Sequence, residues 1–253
     1  MVRFQASEDG YEFDAVVEFI DYNLPVLLPI PPEARPYRDY ELSVRAPCAG
    51  EELESCLENQ DELVDIASHS CEGEGRRVCL LPLGQVDPVL MQSLVDYYRD
   101  RYGLPISIIQ PTFIPLDYVE PKRGQVRAWE LMDYARIRGA ASFFGSDIVL
   151  IGITPVDIFN EYAHYKWLFG VKTAPEQPLA VISTFRMQPE LYGHLPDDDL
   201  FQTRVRKMVS RYIGVLYYEL PESPDPQSPI FNSIGGLSDL DFMSEASIAP
   251  ELP

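Results

Sequence analysis

The sequence predicts an α/β protein built around a sheet of mixed strand direction, with an irregular, proline-rich extension at its N-terminus. Strands and helices alternate from Arg77 onward. The run Asp147–Ile153 is apolar on both faces, as expected for a central strand that is covered on both sides. Two further apolar runs, Trp167–Val171 and Leu179–Phe185, are typical of strands that form a hairpin, which adds antiparallel pairing.

The N-terminal segment, residues 1–75, lacks this regular pattern. Residues 1–47 are predicted to be irregular, and the run Leu24–Pro32 is too rich in proline for a helix and favours an extended arm on a surface. Tyr11–Ile20 fits either a strand or a short helix. Residues 50–68 are acidic, with apolar residues at roughly helical spacing, which indicates one helix or two short ones.

Apolar runs and their stop signals predict the elements of the main domain, residues 76–243. The longest helix begins near Asp198 or Asp199, whose carboxylates can cap free N–H groups, and runs to Leu220. The other elements are a strand over Val78–Leu83, a helix over Val89–Tyr102 ended by Gly103, a strand over Leu104–Ile109 closed by Pro111, and a helix over Gln125–Ile137. The acidic end, Ser238–Pro253, is expected to be mobile, and residues 244–253 are assigned to a tail.

Composition and charge limit the classes of function. The chain has 253 residues, 46% of them apolar and 11% aromatic, which fits a globular protein with a sizeable core. A formal charge of −20 repels phosphate backbones, so we expect no nucleic-acid binding. The sequence has no run of about 18 apolar residues and no apolar leader, so we expect no membrane insertion and a cytoplasmic location.

The four cysteines follow the spacing C-x7-C-x14-C-x7-C, at Cys48, Cys56, Cys71 and Cys79. Structural zinc sites usually take two sulfur atoms from one tight turn, with two to four residues between the cysteines. The longer spacing here argues against a four-cysteine zinc site, which stays the alternative. We expect reduced thiols.

Short stretches of the main domain form an ordered set: Val78–Gly84, Tyr97–Pro105, Arg123–Gln125, Gly152–Phe159, Phe169–Gly170, Val181–Arg186 and Arg204–Lys207. Together they resemble the archaemetzincin family of zinc peptidases over about residues 77–241. The resemblance implies a metzincin-like fold, with a mixed, mostly parallel twisted sheet and packing helices.

The resemblance also implies a zinc-binding helix that carries none of the zinc ligands. The family's motif H-E-x-x-H-x-x-G-x-x-H places its first histidine on Arg211 and its general-base glutamate on Tyr212. Its second histidine falls on Val215 and its third on Pro221. The family's lysine four residues before the first histidine falls on Lys207.

The family's second zinc site lacks its ligands as well. The cysteine that follows the third histidine falls on Glu222, and the family's Cys-x-Met turn falls near Pro229 and Phe231. No cysteine occurs after Cys79. The later serine-rich stretch that leads to an acidic pair resembles Asn232–Asp241.

These replacements decide the chemistry that we expect. Two histidines at i and i+4 lie on one helical face and converge on one metal ion, whose bound water loses a proton to the glutamate. Arginine stays cationic and offers no lone pair, while valine and proline have no ligand atom. The histidines His69, His164 and His194 are not paired at this spacing. We therefore predict no metal ligand, no cofactor and no catalytic residue.

Packing is predicted to support this helix in place of a metal. An apolar stripe runs along it, formed by Val205, Met208, Val209, Tyr212, Ile213, Leu216 and Leu220. Arg211, Val215 and Glu219 share one face. Our hypothesis is that Arg211 fills part of the former metal space and pairs with a carboxylate, with Glu219 as the first candidate. An ordinary exposed arginine is the alternative.

The leading functional hypothesis is a catalytically inactive, archaemetzincin-like pseudo-peptidase that binds a protein or peptide partner as a scaffold or regulatory module. Metzincin-like peptidases bind peptides as an added strand, and the resemblance puts that sheet edge near Leu179–Phe185. The predicted cleft or peptide-binding edge comprises Val181, Ser183, Phe185, Arg211 and Glu219. The alternatives are a non-zinc enzyme that uses Tyr212, Tyr217, Tyr218 or Glu219, and an active metallopeptidase with an unrecognised site.

Overall fold

The computed structural model describes residues 2–8, 11–17, 71, 74–139, 147–160, 166–175, 177–245 and 248. Its strands are β1 (Val2–Glu8), β2 (Tyr11–Val17), β3 (Arg77–Pro82), β4 (Ile106–Ile108), β5 (Val119–Glu120), β6 (Gln125–Arg127), β7 (Ile148–Thr154), β8 (Ile158–Phe159), β9 (Gly170–Lys172) and β10 (Leu179–Ser183). Its α-helices are α1 (Pro88–Tyr102), α2 (Ala128–Gly139), α3 (Asp198–Tyr212) and α4 (Leu237–Phe242).

The N-terminal residues form a hairpin. Strands β1 and β2 pair antiparallel, with Val2 opposite Val17 and Glu8 opposite Tyr11. The prediction of irregular structure is therefore wrong for these two strands, and of the two alternatives for Tyr11–Ile20 the strand is confirmed over β2. The predicted arm over Leu24–Pro32 and the acidic segment over residues 50–68 lie outside the described residues.

Five strands form the main sheet in the order β4-β3-β7-β10-β9. Strands β4, β3, β7 and β10 run parallel to one another, whereas β9 runs antiparallel to β10. The predicted α/β class with a mixed, mostly parallel sheet is confirmed. The apolar run predicted to be central is β7, which lies in the middle of the sheet and is buried from Val149 to Thr154.

Helices cover both faces of the main sheet. Helix α1 and helix α3 pack on one face, where Leu94, Tyr98 and Val209 share an apolar core with Ile151 of β7. Helix α2 packs on the other face, where Leu131 and Met132 contribute to the second core. Residues that alternate along β7 thus point into two different cores, which explains why this strand has no polar side chain from Ile148 to Ile153.

A second sheet of three strands, in the order β5-β6-β8, corrects one predicted helix boundary. Gln125–Arg127 was expected to begin a helix, but these residues form β6, and the helix begins at Ala128. The side-chain amide of Gln125 donates a hydrogen bond of 2.8 Å to Asp157. Pairing with β5 and β8 therefore overrides the helical pattern at these three residues.

Cys71 and Cys79 form a disulfide, with their Cα atoms 5.9 Å apart. This separation is usual for a disulfide. The prediction of reduced thiols is wrong for this pair, because residue 71 lies against β3 within bonding distance. Cys48 and Cys56 lie outside the described residues.

The C-terminal segment contains a helix that the sequence did not predict. Residues Leu237–Phe242 form α4, although Ser238 onward was expected to be mobile. Leu240 and Met243 are buried in the core beneath α1 and α3, which fixes this stretch on the domain. Across the described ranges, no helix is both long and apolar enough to cross a bilayer.

Candidate functional site

Helix α3 begins with a capped N-terminus and carries the predicted apolar stripe. The Asp197 carboxylate accepts a hydrogen bond of 2.9 Å from the Leu200 N–H, and Asp198 and Asp199 follow in the first turn, where acidic side chains favour the helix dipole. The stripe residues Val205, Met208, Val209, Tyr212, Ile213 and Leu216 are buried, as the sequence predicts. Packing on the main sheet therefore holds this helix.

The helix changes its hydrogen-bonding pattern directly after Tyr212. A π-helical turn spans Ile213–Tyr217, and the Tyr218 N–H donates to the Ile213 carbonyl over 3.1 Å. The predicted helix over Asp198–Leu220 therefore ends earlier. Val215 lies inside this wider turn, whereas Arg211 lies in the α-helix before it.

Arg211 is buried at the position of the first metal ligand. Its Nε donates a hydrogen bond of 2.6 Å to the Phe231 carbonyl, and its Nη2 donates one of 2.5 Å to Glu222 Oε1. About one tenth of the side chain is exposed. The hypothesis that Arg211 pairs with a carboxylate inside the domain agrees with this geometry, whereas the alternative of an ordinary exposed arginine does not.

The carboxylate that Arg211 contacts is Glu222, so the choice of Glu219 as its partner is wrong. Glu219 has a positive φ of 55° just after the π-helical turn, and its carboxylate lies 2.6 Å from the guanidinium of Arg76. Arg76 also donates to the Leu216 carbonyl over 2.8 Å. Arg76 and Glu219 thus cap the end of the helix, outside the Arg211 contact.

Glu222 also contacts the edge of the main sheet. Its Oε2 lies 3.6 Å from the Nζ of Lys172, the last residue of β9. Glu222 thereby joins a cation on α3 to a cation on β9. The sequence reasoning named Glu222 only as the replacement of a cysteine, and it missed Lys172, because a single lysine in a short strand forms no motif.

Tyr212, at the position of the general base, fills the space beneath β9. A Cβ atom added to Gly170 would lie 2.6 Å from the Tyr212 hydroxyl and 2.7 Å from the Val181 carbonyl. Burial raises the pKa of Tyr212 to about 12. The side chain therefore stays a neutral phenol that packs against β9, and near neutral pH it does not take up the proton of a water molecule as a glutamate would.

Val215 and Pro221 stand at the other two ligand positions of the aligned motif, and neither side chain has a ligand atom. Val215 is buried among apolar side chains, and Pro221 is exposed. Among the described residues, no group of three or more His, Cys, Asp or Glu side chains could hold a metal ion. The residues at these four positions do not fit zinc.

The segment Asn232–Asp241 is held on α3 by one ion pair and one hydrogen bond to its main chain. Arg204 contacts both carboxylate oxygens of Asp241 over 2.7 Å and donates to the Met187 carbonyl over 2.9 Å. Lys207 donates to the Asp241 carbonyl over 2.7 Å. The lysine that the resemblance singled out thus joins α3 to α4.

Strand β10, where the sequence analysis expects a peptide-binding edge, is not an edge of the main sheet. Strand β10 is covered by β7 on one side and by β9 on the other, and its residues Val181 and Ser183 are buried. Phe185 begins a 3-10 turn rather than extending the strand. The edge of the sheet at this end is β9, because β9 pairs only with β10 among the described strands.

The residues of the alternative non-zinc enzyme lie in two places. Tyr217 donates to the Arg76 carbonyl over 3.2 Å, Glu219 pairs with the Arg76 guanidinium, and the ring of Tyr218 packs edge-on against Tyr217. Tyr212 packs instead beneath Gly170. His194 is exposed on the loop before α3. His69 and His164 lie outside the described residues.

Comparisons with known proteins agree on one family name. No family model matches the chain. The archaemetzincin of Haloarcula marismortui is 31% identical over 140 residues, which are 54% of this chain and 76% of that protein. The archaemetzincin of Pyrococcus horikoshii is 31% identical over 142 residues and is covered over 70% of its length.

Solved structures show the same fold. A zinc-dependent peptidase from Methanocorpusculum labreanum superposes with a TM-score of 0.54 at 22% identity, over 66% of this chain and 93% of that structure. The archaemetzincin of Archaeoglobus fulgidus, complexed with malonate, superposes with a TM-score of 0.52 at 18% identity, over 66% and 92%. At these identities the likeness concerns the fold alone.

Proposed function

The chain belongs to the archaemetzincin family, and from that premise we propose that it is a pseudo-peptidase that binds a protein or peptide without zinc chemistry. Homologues of the chain are zinc peptidases. The proposal concerns what this chain does with the fold that it shares with them.

One observation carries the proposal. At the first ligand position a permanently charged guanidinium, that of Arg211, is bound by the Phe231 carbonyl and the Glu222 carboxylate. A divalent ion next to this cation would be repelled, and arginine offers no lone pair to bind it. The internal contacts of Arg211 replace a metal ion as the link between α3 and the segments that follow.

Two further features support the loss of hydrolysis. The general-base position holds a phenol whose pKa burial raises to about 12, and hydrolysis of this type needs a base that accepts a proton near neutral pH. The other two ligand positions of the aligned motif hold Val215 and Pro221, whose side chains have no ligand atom. Replacing Arg211 alone would therefore not rebuild a metal site.

Binding remains a task that the fold can perform without a metal. An exposed strand edge binds an extended peptide through main-chain hydrogen bonds alone. Strand β9 provides such an edge next to α3. We propose that this edge is the binding surface.

The test measures zinc content and peptide cleavage in the purified full-length chain. We expect far less than one zinc per chain by elemental analysis and no cleavage of unfolded casein, with the zinc-dependent peptidase of Methanocorpusculum labreanum as the positive control. One zinc per chain, removed by a single substitution such as Glu222→Ala and accompanied by cleavage, would contradict the proposal.

A further inference from the structure

Strand β9 presents main-chain groups on the side away from β10. The Thr173 N–H donates to the Leu179 carbonyl, and the Ser183 N–H donates to the Phe169 carbonyl. Along an antiparallel strand, every second residue forms main-chain hydrogen bonds with the partner strand, and the residues between point their N–H and C=O groups away from it. By this alternation, the N–H and C=O groups of Gly170 and Lys172 point outward, where an added strand would meet them.

The same two residues share the face of the sheet that looks toward α3. The position of a Cβ on Gly170 lies against Tyr212 of α3, and Lys172 stands two residues further along the strand, so its side chain projects to the same face. A side chain on the added strand that projects to this face would therefore enter the space beside Lys172.

Two cations converge in that space. The Arg211 Nη2 and the Lys172 Nζ lie 2.5 Å and 3.6 Å from the two carboxylate oxygens of Glu222. Arg211 is fixed by the Phe231 carbonyl as well, so its guanidinium keeps its position if Glu222 moves away. About one tenth of Arg211 and one third of Glu222 are exposed, so Glu222 is the outer member of the cluster.

We propose that Lys172 and Arg211 form a binding subsite for the acidic side chain of an extended peptide added along β9, and that Glu222 occupies this subsite from within the chain. This inference rests on the proposed binding function and names its ligand class. A peptide aspartate or glutamate displaces Glu222 and takes over its two ion pairs, because opposite charges facing each other across neighbouring strands attract. Glu222 thus acts as an internal competitor.

The experiment compares two N-acetylated, C-amidated, fluorescent pentapeptides, Thr-Val-Glu-Val-Thr and Thr-Val-Gln-Val-Thr. The β-branched residues favour an extended backbone, and the two peptides differ only in the central charge. Fluorescence anisotropy measures their dissociation constants for the full-length chain and for Glu222→Gln. The control variant is Glu245→Gln, which removes an equally exposed glutamate that pairs with Arg206 outside this cluster.

We expect the Glu peptide to bind Glu222→Gln about tenfold more tightly than the unaltered chain, which corresponds to about 1.4 kcal/mol. The Gln peptide should show no such gain, and Glu245→Gln should leave both dissociation constants unchanged. Adding Lys172→Met to Glu222→Gln should remove the gain. Raising the salt concentration should weaken the Glu peptide more than the Gln peptide.

Equal binding of the two peptides to Glu222→Gln, the same gain in Glu245→Gln, or no binding of either peptide would overturn the inference. If Glu222→Gln does not fold, Lys172→Met alone should weaken the Glu peptide selectively in the otherwise unaltered chain, and an unchanged dissociation constant there would overturn it. Zinc content and cleavage are measured separately, so an inactive, zinc-free chain that does not distinguish the peptides removes only this inference.

Discussion

Arg211 and Glu222 form an ion pair of 2.5 Å between helix α3 and the segment that follows it. The Phe231 carbonyl accepts a second hydrogen bond from the guanidinium. One cation therefore joins three parts of the chain. An internal cation of this kind is part of the fold and cannot be lost to a chelator.

Replacing Arg211 by methionine should destabilise the domain by about 2 kcal/mol. The substitution keeps an unbranched side chain but removes the guanidinium, which leaves the Phe231 carbonyl and Glu222 without their donor. The cost is lower than for a fully buried pair because Glu222 is partly exposed. Urea unfolding followed by circular dichroism measures the change.

The matched control is Arg136→Met. Arg136 pairs with Asp133 over 2.9 Å, but both side chains are largely exposed, so its loss should cost less than about 1 kcal/mol. Equal losses for the two variants would show that the buried contacts of Arg211 contribute no additional stability.

Replacing Gly170 by alanine should destabilise the domain by about 2 kcal/mol. The new methyl group would lie 2.6 Å from the Tyr212 hydroxyl and 2.7 Å from the Val181 carbonyl. Strand β9 must therefore shift relative to α3 and β10. Tyr212→Phe removes the first of these contacts and should recover part of the loss in a double-mutant cycle.

Gly236→Ala provides the reference for this prediction. Gly236 has an extended backbone with a φ of −170°, and its added Cβ would be 4.0 Å from its nearest neighbour. Its stability should change little. A Gly170→Ala variant as stable as Gly236→Ala would mean that β9 does not lie against Tyr212 as described.

The stability of the domain should fall between about pH 10 and pH 12 in a way that depends on Tyr212. Burial raises its pKa from 10.0 to about 12 in the folded chain, so the unfolded chain loses this proton first. The contribution is fully present below pH 10 and is lost as the pH rises through about 12. For one group, the free energy of unfolding falls by at most about 1.4 kcal/mol per pH unit.

The comparison with Tyr212→Phe isolates this contribution from the other tyrosines. Urea unfolding of both proteins at a series of pH values should show a stability difference that shrinks above pH 10, because the variant lacks the phenol. A difference that stays constant across this range would contradict a raised pKa at Tyr212.

The central part of the fold was predictable because the signals were local. The six residues Ile148–Ile153 carry no polar side chain and require cover on both faces, and Gly103 ends α1 with a positive φ of 61°. The order of family-like stretches correctly indicated the archaemetzincin fold. The failures arose where distant residues decide: β6 replaced the start of a helix because β5 and β8 pair with it, and the buried side chains Leu240 and Met243 fixed α4 on the domain.

In the candidate site, too, some features follow from the sequence and others only from contacts between distant residues. The sequence by itself determined that Arg211, Tyr212, Val215 and Pro221 offer no set of zinc ligands, because ligand atoms are a property of residue type. Only the tertiary structure decided that Arg211 contacts Glu222 instead of Glu219, and that β9 instead of β10 forms the edge. The first outcome depends on where the chain turns after α3, and the second depends on which strand lies at the end of the sheet. Both are determined by contacts between distant segments and not by the residues at the site.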